Sequence, residues 1–206
     1  MADKIIHRYT SLASVIHLLK TRKITFLDPA SWDDSNDAYF MAQYKAREKL
    51  KTVLALCFSE ADETYHHWRV FSQGDSGVRM TFNKPALVSQ FTAAGFMSGR
   101  VNYKKINDAT KAPKPAVQGL PFLKRFPYRD EQEFRIVYTS RDKALKACDV
   151  DIDLDCILEL KLSPWMPEAL RDSTKDILRS IVHPRKLRIT RSQLVSYARW
   201  KELANP

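Results

Sequence analysis

Glycine is scarce in this chain: five in 206 residues. A loop that cradles phosphate needs several glycines within a few positions, so a P-loop or a dinucleotide-binding glycine turn is excluded. Cysteine is scarcer still. Cys57, Cys148 and Cys156 are the only three. They share no close spacing, which excludes a disulfide framework or a zinc knuckle and leaves buried free thiols as the expectation. No apolar run approaches the ~18 residues of a membrane-spanning helix. Met1 to Lys4 leads directly into a strand-like run without a signal-peptide h-region, so the protein is expected to stay in the cytoplasm, with no membrane partner. Nucleophile-elbow, zinc-protease and kinase signatures are also missing.

What the chain has is positive charge: net +10, spread rather than blocked. Mild concentrations fall at Lys104–Lys105, Lys111–Lys114, Lys124–Arg125 and His183 to Arg191. Such a balance favours an anionic partner: nucleic acid, a nucleotide or an acidic protein.

Periodicity gives a coarse map. Lys4 to Tyr9 reads as a strand. Ser11 or Thr10 caps a helix to about Arg22, with Leu12, Val15, Ile16 and Leu19 on one face. Lys23 to Leu27 is a strand, ended by Asp28-Pro29. An acidic loop around Trp32 follows, then a helix over about Asp37 to Lys51. Val53 to Ser59 is a continuous apolar run, suited to a strand buried on both faces. Ala61 to Phe71 reads as a helix, Gln73 to Gly77 as a turn and Val78 to Phe82 as a strand. The next helix begins at Asn83-Lys84-Pro85 and is stopped by Gly95. Gly99 to Lys104 is a strand. Asn107 to Pro121 is an exposed loop rich in proline and lysine. Strands over Glu133 to Thr139, Cys156 to Leu162 and Lys186 to Ile189 follow, with helices over Glu168 to Val182 and Ser192 to Leu203. About eight strands and five or six helices without regular βαβ alternation indicate an α+β fold: a single domain, 1–206, with a mixed or antiparallel central sheet and flanking helices.

One run stands out for chemistry. If Glu131, Glu133 and Arg135 alternate along a strand, they share one face while Phe134 and Ile136 point to the core. Two close carboxylates repel, so one pKa rises, and an arginine beside them moderates the effect. Such a constellation suits acid–base work or hydroxyl binding; a solvated, salt-bridged strand face is the plain alternative. Ser59-Glu60 ends the buried run. His66 and His67 are adjacent and face different sides of a helix, so they make no metal pair. Asp33, Asp34 and Asp37 lack the glycine and terminal glutamate of a calcium loop and read as a helix N-terminus. No metal is expected.

The order of segments resembles the bacterial and phage family called domain of unknown function 2971. The resemblance rests on His7 to Leu12 (HRYTSL), Phe26 to Asp34 (FLDPASWDD), Cys57 to Glu60 (CFSE), Trp68, Gly77 to Phe82 (GVRMTF), Val101 to Tyr103 and Lys124 through Val137. Two positions depart from the family pattern: Ser35 stands where its Asn-Asp-Pro would close, and Phe71 where a tyrosine is usual. A fainter similarity, in the order of the opening strand and helix, the middle strand ending in Phe-Ser and a late Glu-x-Glu strand, is to the ADP-ribosyltransferase fold. That resemblance implies NAD as substrate. It implies Arg8 on the phosphates, Ser59 in support, Glu133 on the nicotinamide ribose and Glu131 as the acceptor-side carboxylate. Tyr9 and Trp68 would stack on the nicotinamide or adenine, and Arg135 would pair with the carboxylates. The implied function is an NAD-consuming ADP-ribosyltransferase or NAD glycohydrolase acting in bacterial or phage conflict. A non-catalytic basic module that binds nucleic acid or inhibits a partner protein is the other reading, and a metal-dependent nuclease a third.

Overall fold

The structure, a computed structural model, describes residues 4–72, 74–184 and 186–204. Gln73, the expected start of a turn, and Arg185, within the last basic stretch, lie outside them. The described chain is α+β, with a mostly antiparallel sheet and flanking helices. It packs as two units. The first takes the chain up to Ile6, Lys23–Ala61 and Lys84–Ile152; the second takes His7–Arg22, Asp62–Asn83 and the chain from Asp153.

In the first unit, β3 (Thr52–Ser59) is the central strand, as its unbroken apolar run requires. It pairs antiparallel with β8 (Glu133–Ser140) along its whole length, from Thr52 opposite Ser140 to Ser59 opposite Glu133. β2 (Lys23–Leu27) pairs antiparallel with β3 on its other side, and β5 (Met97–Arg100) pairs antiparallel with β8. A strand with no clear sequence signal, β9 (Ala147–Asp151), pairs with β2 and carries exposed Asp149 and Asp151 on that edge. α2 (Ser35–Arg47) lies on one face. There Met41 and Tyr44 join Val53, Ala55, Leu120 and Val137 in a buried cluster. Its N-cap is Asp34, whose carboxylate accepts from the amides of Asn36 and Asp37. Phe26, Phe91, Phe96 and Tyr138 make a second aromatic group, with centroids 5.2–5.4 Å apart. α4 (Lys84–Ala93) supplies Phe91, and the chain leaves it through Gly95 at φ +81°, as the glycine there implies.

The second unit holds β4 (Gly77–Asn83), β10 (Ile157–Leu162) and β11 (Arg188–Arg191), with the His7–Ser11 part of β1 (Ile5–Ser11) beside β4. β10 runs antiparallel to β4 and parallel to β11. α1 (Leu12–Thr21) is capped by Ser11, whose hydroxyl accepts from the Ser14 amide at 3.1 Å. It packs against α6 (Glu168–Val182), and Val15, Leu18, Leu19, Leu178 and Val182 are buried. α3 (Tyr65–Phe71) is capped by Thr64 and begins four residues later than expected.

Several expected boundaries move. The strand expected over 99–104 is two, β5 and β6 (Asn102–Lys104); β6 pairs with β7 (Leu123–Arg125) in a separate two-stranded ribbon. Residues 107–116 are exposed, but Ile106–Lys111 forms helix α5, and Leu120 and Pro121 are buried beneath a 3₁₀ turn. The helix expected from Ser192 is only α7 (Ala198–Glu202), because Ser192 is buried and turns the chain. None of the three cysteines forms a disulfide; Cys156 is buried, and Cys57 and Cys148 are half-buried.

Candidate active site

The Glu131–Arg135 run does not lie on one strand. Phe126–Glu131 is a 3₁₀ turn, Gln132 takes a left-handed conformation at φ +42°, and β8 begins at Glu133. Nor is the face solvated. Glu131 is 7 % exposed, Glu133 6 % and Arg135 0 %. The break at Gln132 re-aims Glu131, so two carboxylates meet one buried cation pair from different backbone directions.

Arg135 uses all five of its N–H donors. Nε donates to Glu133 Oε1 at 2.6 Å and Nη2 to Glu133 Oε2 at 2.8 Å. Nη1 donates to Asp37 Oδ1 and to the Pro121 carbonyl, each at 2.9 Å, and Nη2 also donates to Asp37 Oδ2. The Trp32 ring covers the guanidinium, 4.8 Å from its centroid. The second cation is Lys124, from β7. Its Nζ donates to Glu131 Oε2 at 2.6 Å and Glu133 Oε2 at 3.2 Å, and lies 3.7 Å from Asp37 Oδ2. The Tyr128 ring stands 4.7 Å from it. Tyr103 accepts the Glu133 amide at 2.9 Å. Ser59 holds the turn: its hydroxyl donates to the Glu131 carbonyl at 2.7 Å and accepts from the Ala61 amide.

Asp37, Glu131 and Glu133 therefore face Lys124 and Arg135: three carboxylates against two cations. Burial disfavours every one of these charges. For Glu133 that effect is outweighed by Arg135, with Lys124, and the carboxyl is held down to about 2. Glu131 goes the other way. Burial raises it, and Lys124 only partly compensates. Asp37 is also raised by burial, against the pull of Arg135. Lys124 and Arg135 are each held protonated: burial works against their charge, and the attraction of Glu133 outweighs it. The two glutamates thus have protonation equilibria pushed apart.

Sequence reading placed Glu131, Glu133, Arg135 and Ser59 in one neighbourhood, and the first unit brings these four together. It missed Asp37 and Lys124. The signal for Asp37 was its place in the first turn after a capping aspartate, which explained it too well as a helix-terminus charge. Lys124 stood among other basic residues with nothing to mark it as buried.

The remaining three residues lie in the second unit. Arg8 is half-buried on β1. Tyr9 is 8 % exposed and stacks on His67, with centroids 5.6 Å apart. Trp68 is fully buried, edge-on to Tyr9 at 5.2 Å, and its Nε1 donates to Glu63 at 2.7 Å. Burial pushes the Tyr9 phenol up to about 12. Among the described residues no group of three or more His, Cys, Asp or Glu is placed to hold a metal ion, and no helix is long and apolar enough to cross a membrane.

No protein-family model and no curated protein matches the chain. The resemblance to domain of unknown function 2971 therefore rests on the segments quoted above. Among solved structures, the chain is similar to Thermus sp. 2.9 DarT in three states. In complex with ADP-ribosylated ssDNA the identity is 12%, with 92% of this chain and 94% of that one covered. In complex with NAD+ and with carba-NAD+ it is 10% and 11%, with 92% and 96% covered. The TM-score is 0.46 in each case.

Proposed function

We propose that the chain is an NAD-consuming ADP-ribosyltransferase or NAD glycohydrolase, in which Glu133 is the fixed anion and Glu131 the proton-exchanging carboxylate. One observation carries this reading: in one buried network Arg135 forks onto Glu133 at 2.6 and 2.8 Å while Glu131 meets Lys124 at 2.6 Å, unequal partners that drive the two carboxyls' protonation in opposite directions. Environments that split a carboxylate pair this way assign one member to charge stabilisation and the other to proton transfer. Rupture of the ribose–nicotinamide bond sends the bonding pair to the pyridinium nitrogen and leaves an oxocarbenium-like sugar. A cluster with one more carboxylate than cation favours that positive charge. The acceptor's hydroxyl or amine, or water, then attacks the sugar carbon and gives its proton to Glu131. The Lys124 contact to Glu133, at 3.2 Å, is longer than either of Arg135's, and a sugar approaching Glu133 would displace it first.

NAD itself enters through the sequence resemblance, which assigns its phosphates to Arg8; Tyr9 and Trp68, buried against each other, present no open ring face for the stacking that the resemblance implies. The acceptor class follows the +10 charge, which favours an anionic partner. A second reading, a binding module without chemistry, is favoured by one fact: both Glu133 oxygens already have cationic partners.

The test is NAD turnover by purified protein, with NAD binding followed by calorimetry. Glu133→Gln keeps the side chain's shape and removes its charge. It is expected to lower turnover about 10²–10³-fold, the usual loss on removing one transition-state stabiliser. Arg8→Ala is expected to weaken NAD binding. A chain that neither binds NAD nor consumes it with any acceptor offered leaves the binding-module reading.

A further inference from the structure

The second unit carries a feature that the proposed chemistry does not use. Alternate residues of a strand share a face. On β4, β10 and β11 one set is apolar and buried: Val78, Met80, Phe82, Leu160, Leu162 and Ile189. The other set carries Arg79, Thr81, Glu159, Lys161, Arg188 and Thr190. Register places Thr81, Glu159 and Arg188 in one row across the strands, and Arg79, Lys161 and Thr190 in the next. His7 extends the first row, with Nδ1 3.1 Å from the Thr81 hydroxyl.

Over the β10 and β11 part of this face lies a groove of about 900 Å³, lined also by residues 193–197, 200 and 201. Its lining cations are Lys161, Arg188, Arg191 and Lys201, against two carboxylates, Glu63 and Glu159. Both carboxylates are engaged internally. Glu63 accepts from Trp68 Nε1 at 2.7 Å and Lys161 Nζ at 3.0 Å; Glu159 accepts from the Thr190 hydroxyl at 2.8 Å and pairs with Arg188 at 3.2 Å. A donor remains: among the lining residues, the Nε of Arg191 is buried without an acceptor. At the rim, Trp200 is 72 % exposed and Tyr197 41 %.

We propose that this groove binds single-stranded nucleic acid. The lining guanidiniums of Arg188 and Arg191 suit phosphate oxygens. An indole left in water on a short helix suits an unstacked base, which a duplex does not offer and an acidic peptide lacks. The volume lies near the upper end of the roughly 300–1,000 Å³ of small-ligand pockets, and exposed Arg199 and Lys201 flank Trp200 to continue the positive surface along a strand. The inference rests on the groove alone and stands whether or not Glu133 supports NAD chemistry.

The test is fluorescence anisotropy with a labelled single strand of about fifteen thymidines. Wild type is expected to bind, with affinity falling steeply as salt rises. Trp200→Ala and Arg191→Ala are each expected to weaken binding roughly tenfold. Trp200 is exposed, so its variant keeps the wild-type melting curve. Lys111→Ala, on an exposed first-unit helix, is expected to bind as wild type does. The duplex and polyglutamate are expected to bind at least roughly tenfold more weakly than the single strand. Absence of binding, unchanged affinity in both groove variants, or equal binding of the duplex or polyglutamate overturns the proposal.

Discussion

Arg135 holds the candidate site together, and its removal separates structure from chemistry. Its guanidinium is wholly buried and neutralises two carboxylates from different elements. Arg135→Met leaves Asp37 and Glu133 buried without their main partner. Breaking a buried ion pair in this way costs about 3–5 kcal/mol, which urea unfolding will show as a large drop in midpoint. Arg135→Lys keeps the charge and loses the five-donor fork, so it is expected to fall between. The glutamates differ in sign. Glu131 is raised, so it protonates at a higher pH than an ordinary glutamate, and a base at that position stops working earlier as pH falls. Glu131→Gln is expected to slow transfer about 10²-fold and to abolish that acid limb of the rate profile. Its effect on stability is expected to be small or favourable, because a carboxyl raised by burial is a charge the fold holds at a cost.

At the scale of elements, three segments deliver the cluster: β8 brings Glu133 and Arg135, β7 brings Lys124, and the first turn of α2 brings Asp37. Asp34→Ala removes the cap of α2 and is expected to cost about 1 kcal/mol, read by thermal melting. The strands β3 and β8 were legible, because Val53–Ser59 and Glu133–Thr139 are strong strand patterns; their pairing came only with the structure. The cluster itself was half legible. Glu131, Glu133 and Arg135 are close in sequence, and spacing could raise them; Asp37 and Lys124 join only through tertiary packing, which no periodicity records. β9 escaped notice because ACDVD is an acidic edge strand whose partner, β2, lies far away in the chain. The stretch 99–104 read as one strand because nothing in Val101 marks a change of sheet; the structure shows its amide donating to the Glu133 carbonyl at 2.8 Å. β1 carries a pH sensor of its own. Burial, with Arg79 and Lys161 nearby, lowers His7 from 6.5 to about 4. A folded-state pKa below the unfolded one means the stabilisation is whole above pH 6.5 and is lost as pH falls toward 4. The loss is on the order of 3 kcal/mol. Melting temperature is expected to fall across that window, and His7→Gln to flatten the fall.

For the whole molecule, acid unfolding should proceed in two stages. His7 acts first, between 6.5 and 4; Glu133 follows, its contribution present above 4.5 and lost as pH drops toward 2. The charge of +10 adds self-repulsion, which grows as carboxylates protonate. The central claim, that a split carboxylate pair performs glycosyl chemistry on NAD, is tested most directly by the pH profile of nicotinamide release. The comparison is wild type against Glu131→Gln and Glu133→Gln, each shown to be folded by circular dichroism. The account predicts release by wild type with an acid limb above the range of an ordinary glutamate, a lower and flat profile for Glu131→Gln, and loss of release at every pH for Glu133→Gln. A wild-type chain that releases no nicotinamide at any pH, or a Glu133→Gln chain as fast as wild type, would contradict it.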